Sequence, residues 1–371
     1  MPSLSDLVTP AVVLDQGVLR ANVRRMQDRA TAGGKRLRPH GKTHKSPVVA
    51  AMQVDAGAVG LCCAKPGEAE VFVEGGVEDI RLAYPVSPVH ADRLLALTER
   101  ARVSIIVDSL EVATAWSETL SRRGAALPVL VKVDVGFHRC GVDPERQDVR
   151  QFLQAVAALP GVQLEGLLSH AGQAYLADSR DQIARIVAEE AALLDRIRSE
   201  AAQDGIALDE VSVGSTPSAE ASMTQPQVTE VRPGNYVFCD RTQVGLGAAT
   251  WDDCALTIVA TVVSSGEDRL IFDCGSKVLS SDGARGFMPT PGFGVVLDGE
   301  GRPDESLLIE RLSEEHATVR VTGGTRLRLG SRVRIVPNHA CVVANLTDAY
   351  VLAEGDEVVG TLPVAARGRV V

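Results

Sequence analysis

Aromatic residues make up only 4% of this 371-residue chain, and lysine plus arginine (38) fall short of aspartate plus glutamate (48), for a formal net charge of −10. A protein that tracks a phosphate backbone normally presents a basic face and aromatic platforms for bases, so nucleic acid is not an expected partner. Nowhere do about 18 apolar residues run without a charge, so no membrane span is expected. The start, "MPSLSDLVTP", has no basic segment leading into an apolar one, which argues against a signal peptide and for a cytoplasmic protein. Seven cysteines, an odd number scattered over a long chain, do not form the framework of a small secreted domain. Free thiols are expected. There is no internal repeat or low-complexity run. No GxGxxG follows the first strand-like segment, so the usual signature of a doubly wound dinucleotide fold is missing.

What the chain does have is alternation. Short apolar runs rich in β-branched residues are separated by amphipathic stretches: "KRLRPH", "VGLCCA", "IRLAYP", "VSIIVD", "PVLVKVDV", "VQLEGLLSH", "EVSVG" and "QVTEVRP". Between them lie segments such as "PGEAEVFVEGG" and "RDQIARIVAEEAALLDRIRSEAAQDG", with helical spacing and a terminal glycine. Eight strand and helix pairs predict an α/β fold, a TIM-type (β/α)8 barrel over residues 15–233. After "RPGNYVF" the pattern becomes strand-like with Gly, Asp and Pro turns. This predicts an all-β C-terminal domain over 234–371, joined by the opening strand in residues 1–14.

In a barrel, chemistry gathers at the C-terminal ends of the strands. Lys42 follows the first strand, and a partly desolvated lysine can form a Schiff base with an aldehyde. A single lysine is more often a solvated loop residue, but other strand ends converge with it. "DVGFHRCG" follows the fifth strand and brings His138 and Arg139, and "LLSHAGQAY" follows the sixth and brings His170 and Tyr175. After the seventh, Gly214, Ser215 and Thr216 have the small side chains and exposed N–H groups of a phosphate cradle, although such a turn alone is as often an N-cap. Lysine and cradle facing each other across a barrel mouth suit pyridoxal 5'-phosphate (PLP). In "IVPNHACVVANL", His339 and Cys341 alternate on one strand-like segment, so both can face one ion. Two ligands suit an open site finished by water and substrate, and thiolate plus imidazole favours Zn²⁺ over Mg²⁺. Cys62 and Cys63 read as core.

"RPHGKTHK", "DVGFHRCG", "SHAGQAY", "VSVGSTPS", "RPGNYVF" and "VPNHACVVANL", in this order, resemble the D-threonine aldolase and D-serine dehydratase-like family of PLP enzymes, fold type III with the alanine racemase barrel. The resemblance runs from "TPAVVLD" to the C-terminus. It implies Lys42, rather than Lys45, as the Schiff-base lysine, and the Gly214–Thr216 loop as the phosphate site. It also implies Arg139 and Tyr175 near the cofactor ring, His170 as a catalytic contact, and His339 with Cys341 on a divalent metal, Zn or Mn. The implied activity is a D-threonine aldolase-type lyase on D-β-hydroxy-α-amino acids, giving glycine and an aldehyde, in a homodimer. Its alternative is dehydration of D-serine or D-threo-3-hydroxyaspartate to a keto acid and ammonia. In the family pattern, aldolases carry an acidic residue two after the metal-binding histidine and dehydratases a cysteine; this chain has Cys341. An amino-acid racemase would not need the metal pair, and a non-catalytic PLP-binding regulator would not need the added β domain.

Overall fold

The structure, a computed structural model, describes residues 2–287 and 291–371. Eight strands form one parallel sheet: β2 (Arg36–Leu37), β3 (Leu61–Cys63), β4 (Asp79–Pro85), β5 (Arg102–Val107), β6 (Leu127–Lys132), β7 (Val162–Leu168), β8 (Glu210–Val213) and β9 (Glu230–Val231). They are preceded in the chain by β1 (Ala11–Asp15). Pairing runs in order from β3 to β9, then β2 lies against β9. The ring closes where His40 bridges Cys62, with Gly41 N donating to Cys62 O (2.8 Å) and Cys62 N to Pro39 O (2.7 Å). Strands such as "RVSIIV" are near-continuous apolar runs because helices cover one face and the barrel interior the other.

The interior is not wholly apolar. Arg81, fully buried, reaches Glu210 (2.5 Å) and Glu230 (2.6 Å), and Arg38 bonds the other Glu230 oxygen (2.8 Å). Burial alone would raise the Glu230 carboxyl, but the two guanidinium groups hold it down at about 2. Ser212 donates to Glu230 (2.5 Å) and accepts from Arg232 Nη1 (2.6 Å), so this charged core extends to the end of β9. There it fixes Arg232 beneath the barrel mouth.

A second, mixed sheet comprises β1, β10 (Leu256–Ser265), β11 (Arg269–Phe272), β12 (Val295–Leu297), β13 (Leu307–Leu312), β14 (Ala317–Val321), β15 (Arg332–Val336), β16 (Ala349–Glu354) and β17 (Glu357–Pro363). The opening strand sits in its middle, antiparallel to β10 and parallel to β16. Asp15 then caps the first helix, Gln16–Ala32, accepting from Val18 N (2.9 Å). That helix contributes Leu19 and Val23 to the β domain's core. All seven cysteines are free, and Cys62 and Cys63 are fully buried. No helix among the described residues is long and apolar enough to cross a membrane.

Candidate active site

The C-terminal ends of the barrel strands open into a cavity of about 420 Å³ that the β domain covers. Lys42, Arg139, His170, Tyr175, Gly214, Ser215, Thr216, His339 and Cys341 all line it. A larger recess of about 1060 Å³ runs along the β domain and contains none of these residues, so size alone does not locate the chemistry. His138 and His44 stay outside the cavity. His138 adopts a left-handed backbone (φ 54°) and turns its exposed ring back to Asp134 (3.1 Å), while the next residue, Arg139, lines the cavity. His44 is sealed in the core, where burial pushes its imidazole down to about 3 and Nδ1 accepts from Ser46 N (3.1 Å).

The two lysines of "RPHGKTHK" have opposite surroundings. Lys45 is buried, its Nζ 2.6 Å from Glu68, whose other oxygen accepts from Ala64 N (2.8 Å). Lys42 opens into the cavity, and among the described residues no group accepts a hydrogen bond from its Nζ.

The loop after β8 offers donors rather than a long helix. The helix behind it, Ala219–Met223, is only five residues long, so an aligned helix dipole is not what shapes the cradle. The backbone N–H groups of Ser215, Thr216, Gly234 and Asn235 make no hydrogen bond to another described residue. Gly214 permits the tight fit: a Cβ there would lie 2.9 Å from the Arg232 carbonyl oxygen. Unspent N–H groups in a concave turn suit an anion.

His170 sits at the end of β7 with Nδ1 2.6 Å from Gly214 O. A carbonyl only accepts, so Nδ1 carries the hydrogen and Nε2 keeps its lone pair. Burial, with Arg139, Lys132 and Lys42 nearby, holds this imidazole well below its usual value and therefore neutral. His40 is likewise depressed, chiefly by burial and then by Lys42 and Arg232. Lys132, at the end of β6, is brought down to about 8 by burial and by Arg232. Arg232 itself is held by Ser212 Oγ and by Ser169 O (2.5 Å).

The histidine and cysteine converge by a route the sequence did not suggest. The strand-like segment ends at Val336, because Pro337 has no N–H to continue a ladder. His339 then caps a helix, Ala340–Leu346, whose first N–H donates to buried Asp240 (2.9 Å). Cys341 lies in the first turn, so a helix start, not strand alternation, brings the pair together. His339 Nδ1 is 2.6 Å from Asp282 Oδ2, which leaves Nε2 for the Cys341 sulfur. Burial alone would lower the imidazole, but Cys341, Asp240 and Asp282 raise it to about 10. Burial would raise the Cys341 thiol, but His339 and the Thr43 hydroxyl (3.3 Å) bring it down. Among the described residues no group of three or more His, Cys, Asp or Glu is placed to hold a metal, so the donor set is an open pair.

Lys132, Arg232, Asn235, Asp282 and Arg285 also line the cavity and were not singled out from sequence. Lys132 and Arg232 stand at the ends of β6 and β9, but within the longer runs that the sequence reads as strand. Asp282 and Arg285 lie in a motif-free loop that only the fold brings to the barrel mouth.

Residues 14–242 match the family described as alanine racemase, N-terminal domain, and residues 255–353 the putative serine dehydratase domain. D-threo-3-hydroxyaspartate dehydratase of Delftia sp. (strain HT23) is 35% identical over 97% of this chain and 97% of its own. D-threonine aldolase of Arthrobacter sp is 33% identical over 98% and 94%. A solved structure of a D-threo-3-hydroxyaspartate dehydratase cysteine-to-alanine mutant in the metal-free form superposes with a TM-score of 0.91 at 32% identity, covering 98% of this chain and 99% of that one.

Proposed function

The chain belongs to the alanine racemase-like family of PLP-dependent lyases that holds D-threonine aldolases and D-serine and 3-hydroxyaspartate dehydratases, and from that premise we propose a metal-assisted lyase acting on D-β-hydroxy-α-amino acids. The observation that carries this reading is a single cavity joining a lysine with no partner among the described residues, a turn of unspent N–H groups and the His339–Cys341 pair. When bound, PLP supplies an electron sink for a bond broken at Cα, and Zn²⁺ or Mn²⁺ supplies Lewis acidity at the β-oxygen.

The protein's own groups have distinct tasks. Lys42 Nζ, the amine that opens into the cavity, would anchor the cofactor's aldehyde and, when not so engaged, would serve there as a base. The N–H groups of Ser215, Thr216 and Gly234 would hold the phosphate, and Arg139 and Tyr175, lining the same cavity, would serve the rest of the cofactor. His339 Nε2 and Cys341 Sγ would hold the metal, with Asp282 fixing the imidazole tautomer. His170 Nε2 is free to accept the proton that leaves the β-hydroxyl. Such outer partners of a metal-bound histidine are worth about 10- to 100-fold in metal affinity. Asp282→Ala should therefore weaken Zn²⁺ binding by about that factor in competition with a fluorescent chelator; an unchanged affinity would remove Asp282 from the site.

Retro-aldol cleavage to glycine and an aldehyde is the first reading. Elimination to a keto acid and ammonia is the second, favoured by one observation, the thiolate donor Cys341, where the family's aldolases carry an acidic residue. Racemisation leaves the metal pair without a task. Protein loaded with PLP and Zn²⁺ or Mn²⁺ and offered D-threonine, D-serine and D-threo-3-hydroxyaspartate separates the outcomes. Glycine identifies the aldolase, and pyruvate, 2-oxobutanoate or oxaloacetate the dehydratase. No turnover of any of the three would sink the lyase reading.

A further inference from the structure

Five basic side chains line the cavity: Lys42, Lys132, Arg139, Arg232 and Arg285. Among the described residues its only carboxylate is that of Asp282, already engaged by His339. In a chain with a net charge of −10, this is a local choice rather than a background. Part of it is accounted for by the reading above, on which this inference rests. The phosphate carries roughly two negative charges, and any α-amino acid adds its α-carboxylate. The metal pair does not use up the remainder, because a divalent ion on one thiolate is still cationic. Positive charge is left over on the metal side.

Of the five, Arg285 is the one carried by the same loop as Asp282, on the metal side. Arg232 is tied to Ser212 and to the Ser169 carbonyl, and Arg139 lies 5.7 Å from the Phe137 ring. Arg285, an exposed residue at the cavity rim, makes no hydrogen bond, ion pair or ring contact with any described residue, and its charge reaches the Tyr175 hydroxyl. The backbone on either side of it is held. Asn338 Nδ2 donates to Asp282 O (2.9 Å) before it, and Phe287 N donates to Gly245 O (3.1 Å) after it. Close packing at Gly286, where a Cβ would meet the Gly245 carbonyl carbon at 2.5 Å, keeps the loop against the cavity wall. The same short loop thus carries Asp282, which orients His339, and Arg285, three residues on.

We propose that Arg285 is a specificity residue that receives a second carboxylate on the substrate's β-carbon, making the preferred class a β-hydroxy D-dicarboxylic amino acid. The chemistry forces proximity: the β-hydroxyl must reach the metal pair, and any other substituent on that carbon lies beside it. A methyl group or hydrogen there would leave the guanidinium to solvent, whereas a carboxylate matches its planar fork with two parallel hydrogen bonds. A site built to pair a polar group discriminates strongly against an analogue lacking it. The assignment holds for either reaction: the four-carbon substrate gives glycine plus glyoxylate by cleavage, or oxaloacetate plus ammonia by elimination.

The test compares kcat and KM for D-threo-3-hydroxyaspartate, D-threonine and D-serine in the wild-type holoenzyme and in Arg285→Gln and Arg285→Lys. Wild type should favour the dicarboxylate by at least about 100-fold in kcat/KM. In Arg285→Gln that preference should fall at least about 30-fold, mainly through a raised KM, with partial recovery in Arg285→Lys. Equal efficiency toward D-threonine in wild type would overturn the inference while leaving the lyase reading intact. So would a loss in Arg285→Gln shared equally by all three substrates, the mark of an α-carboxylate contact. No turnover of any substrate would overturn both.

Discussion

Replacing Lys42 by Ala is expected to leave a folded protein that no longer retains PLP covalently, with kcat on its best substrate reduced by at least about 10⁴-fold. The side chain opens into the cavity and makes no bond to a described residue, so its loss removes a reactive amine and little else. Lys45, three residues on, gives the contrasting result. Its Nζ neutralises Glu68 in a buried site, and Lys45→Ala leaves that carboxylate without a counter-charge. Breaking a buried pair from one side costs about 3–5 kcal/mol. Chemical denaturation of Lys45→Ala should show that loss, while the surviving folded protein keeps its cofactor. The two variants thus separate chemistry from stability within one short stretch of chain. If Lys45→Ala lost the cofactor while Lys42→Ala kept it, the anchor would have been misassigned.

Cys341→Ala should show the complementary pattern. The thiol is drawn toward its anionic form by His339 and lies with it at the open end of the cavity, the arrangement from which a divalent ion displaces a proton. Removing the sulfur leaves one ligand, so bound Zn²⁺ should be lost, and turnover should fall by about 10³-fold, the scale of several kcal/mol of Lewis-acid stabilisation. The covalently held cofactor should remain, because Lys42 and the Ser215–Thr216 turn are untouched. Chelation of wild type should reproduce the loss, and added Zn²⁺ or Mn²⁺ should reverse it in wild type but not in Cys341→Ala. Full activity after exhaustive chelation would remove the metal from the mechanism.

The barrel was legible because its signals are local. A parallel strand covered on both sides must be apolar along its whole length, and "VSIIV" or "VLV" show this directly. Strand ends then point to the mouth, which is why Lys42, Arg139, His170 and Gly214 could be named from order alone. The convergence of His339 and Cys341 was legible, but its cause was not: alternation and a helix start both place residues two apart near one another, and only Pro337 hinted at the break. Lys132 and Arg232 were hidden inside runs read as strand, where a long side chain at the last position looks like ordinary packing. Arg285 had no local signal. Its significance arises from Gly245 and Asn338, distant in sequence, which pin its loop to the cavity wall.

Lys42 as the covalent anchor of PLP is tested most directly by borohydride reduction of the PLP-loaded protein, followed by proteolysis and mass spectrometry of the peptides. The expected result is a pyridoxyl group on Lys42 alone. A modified Lys45 or Lys132, or no modified lysine at all, would contradict the account.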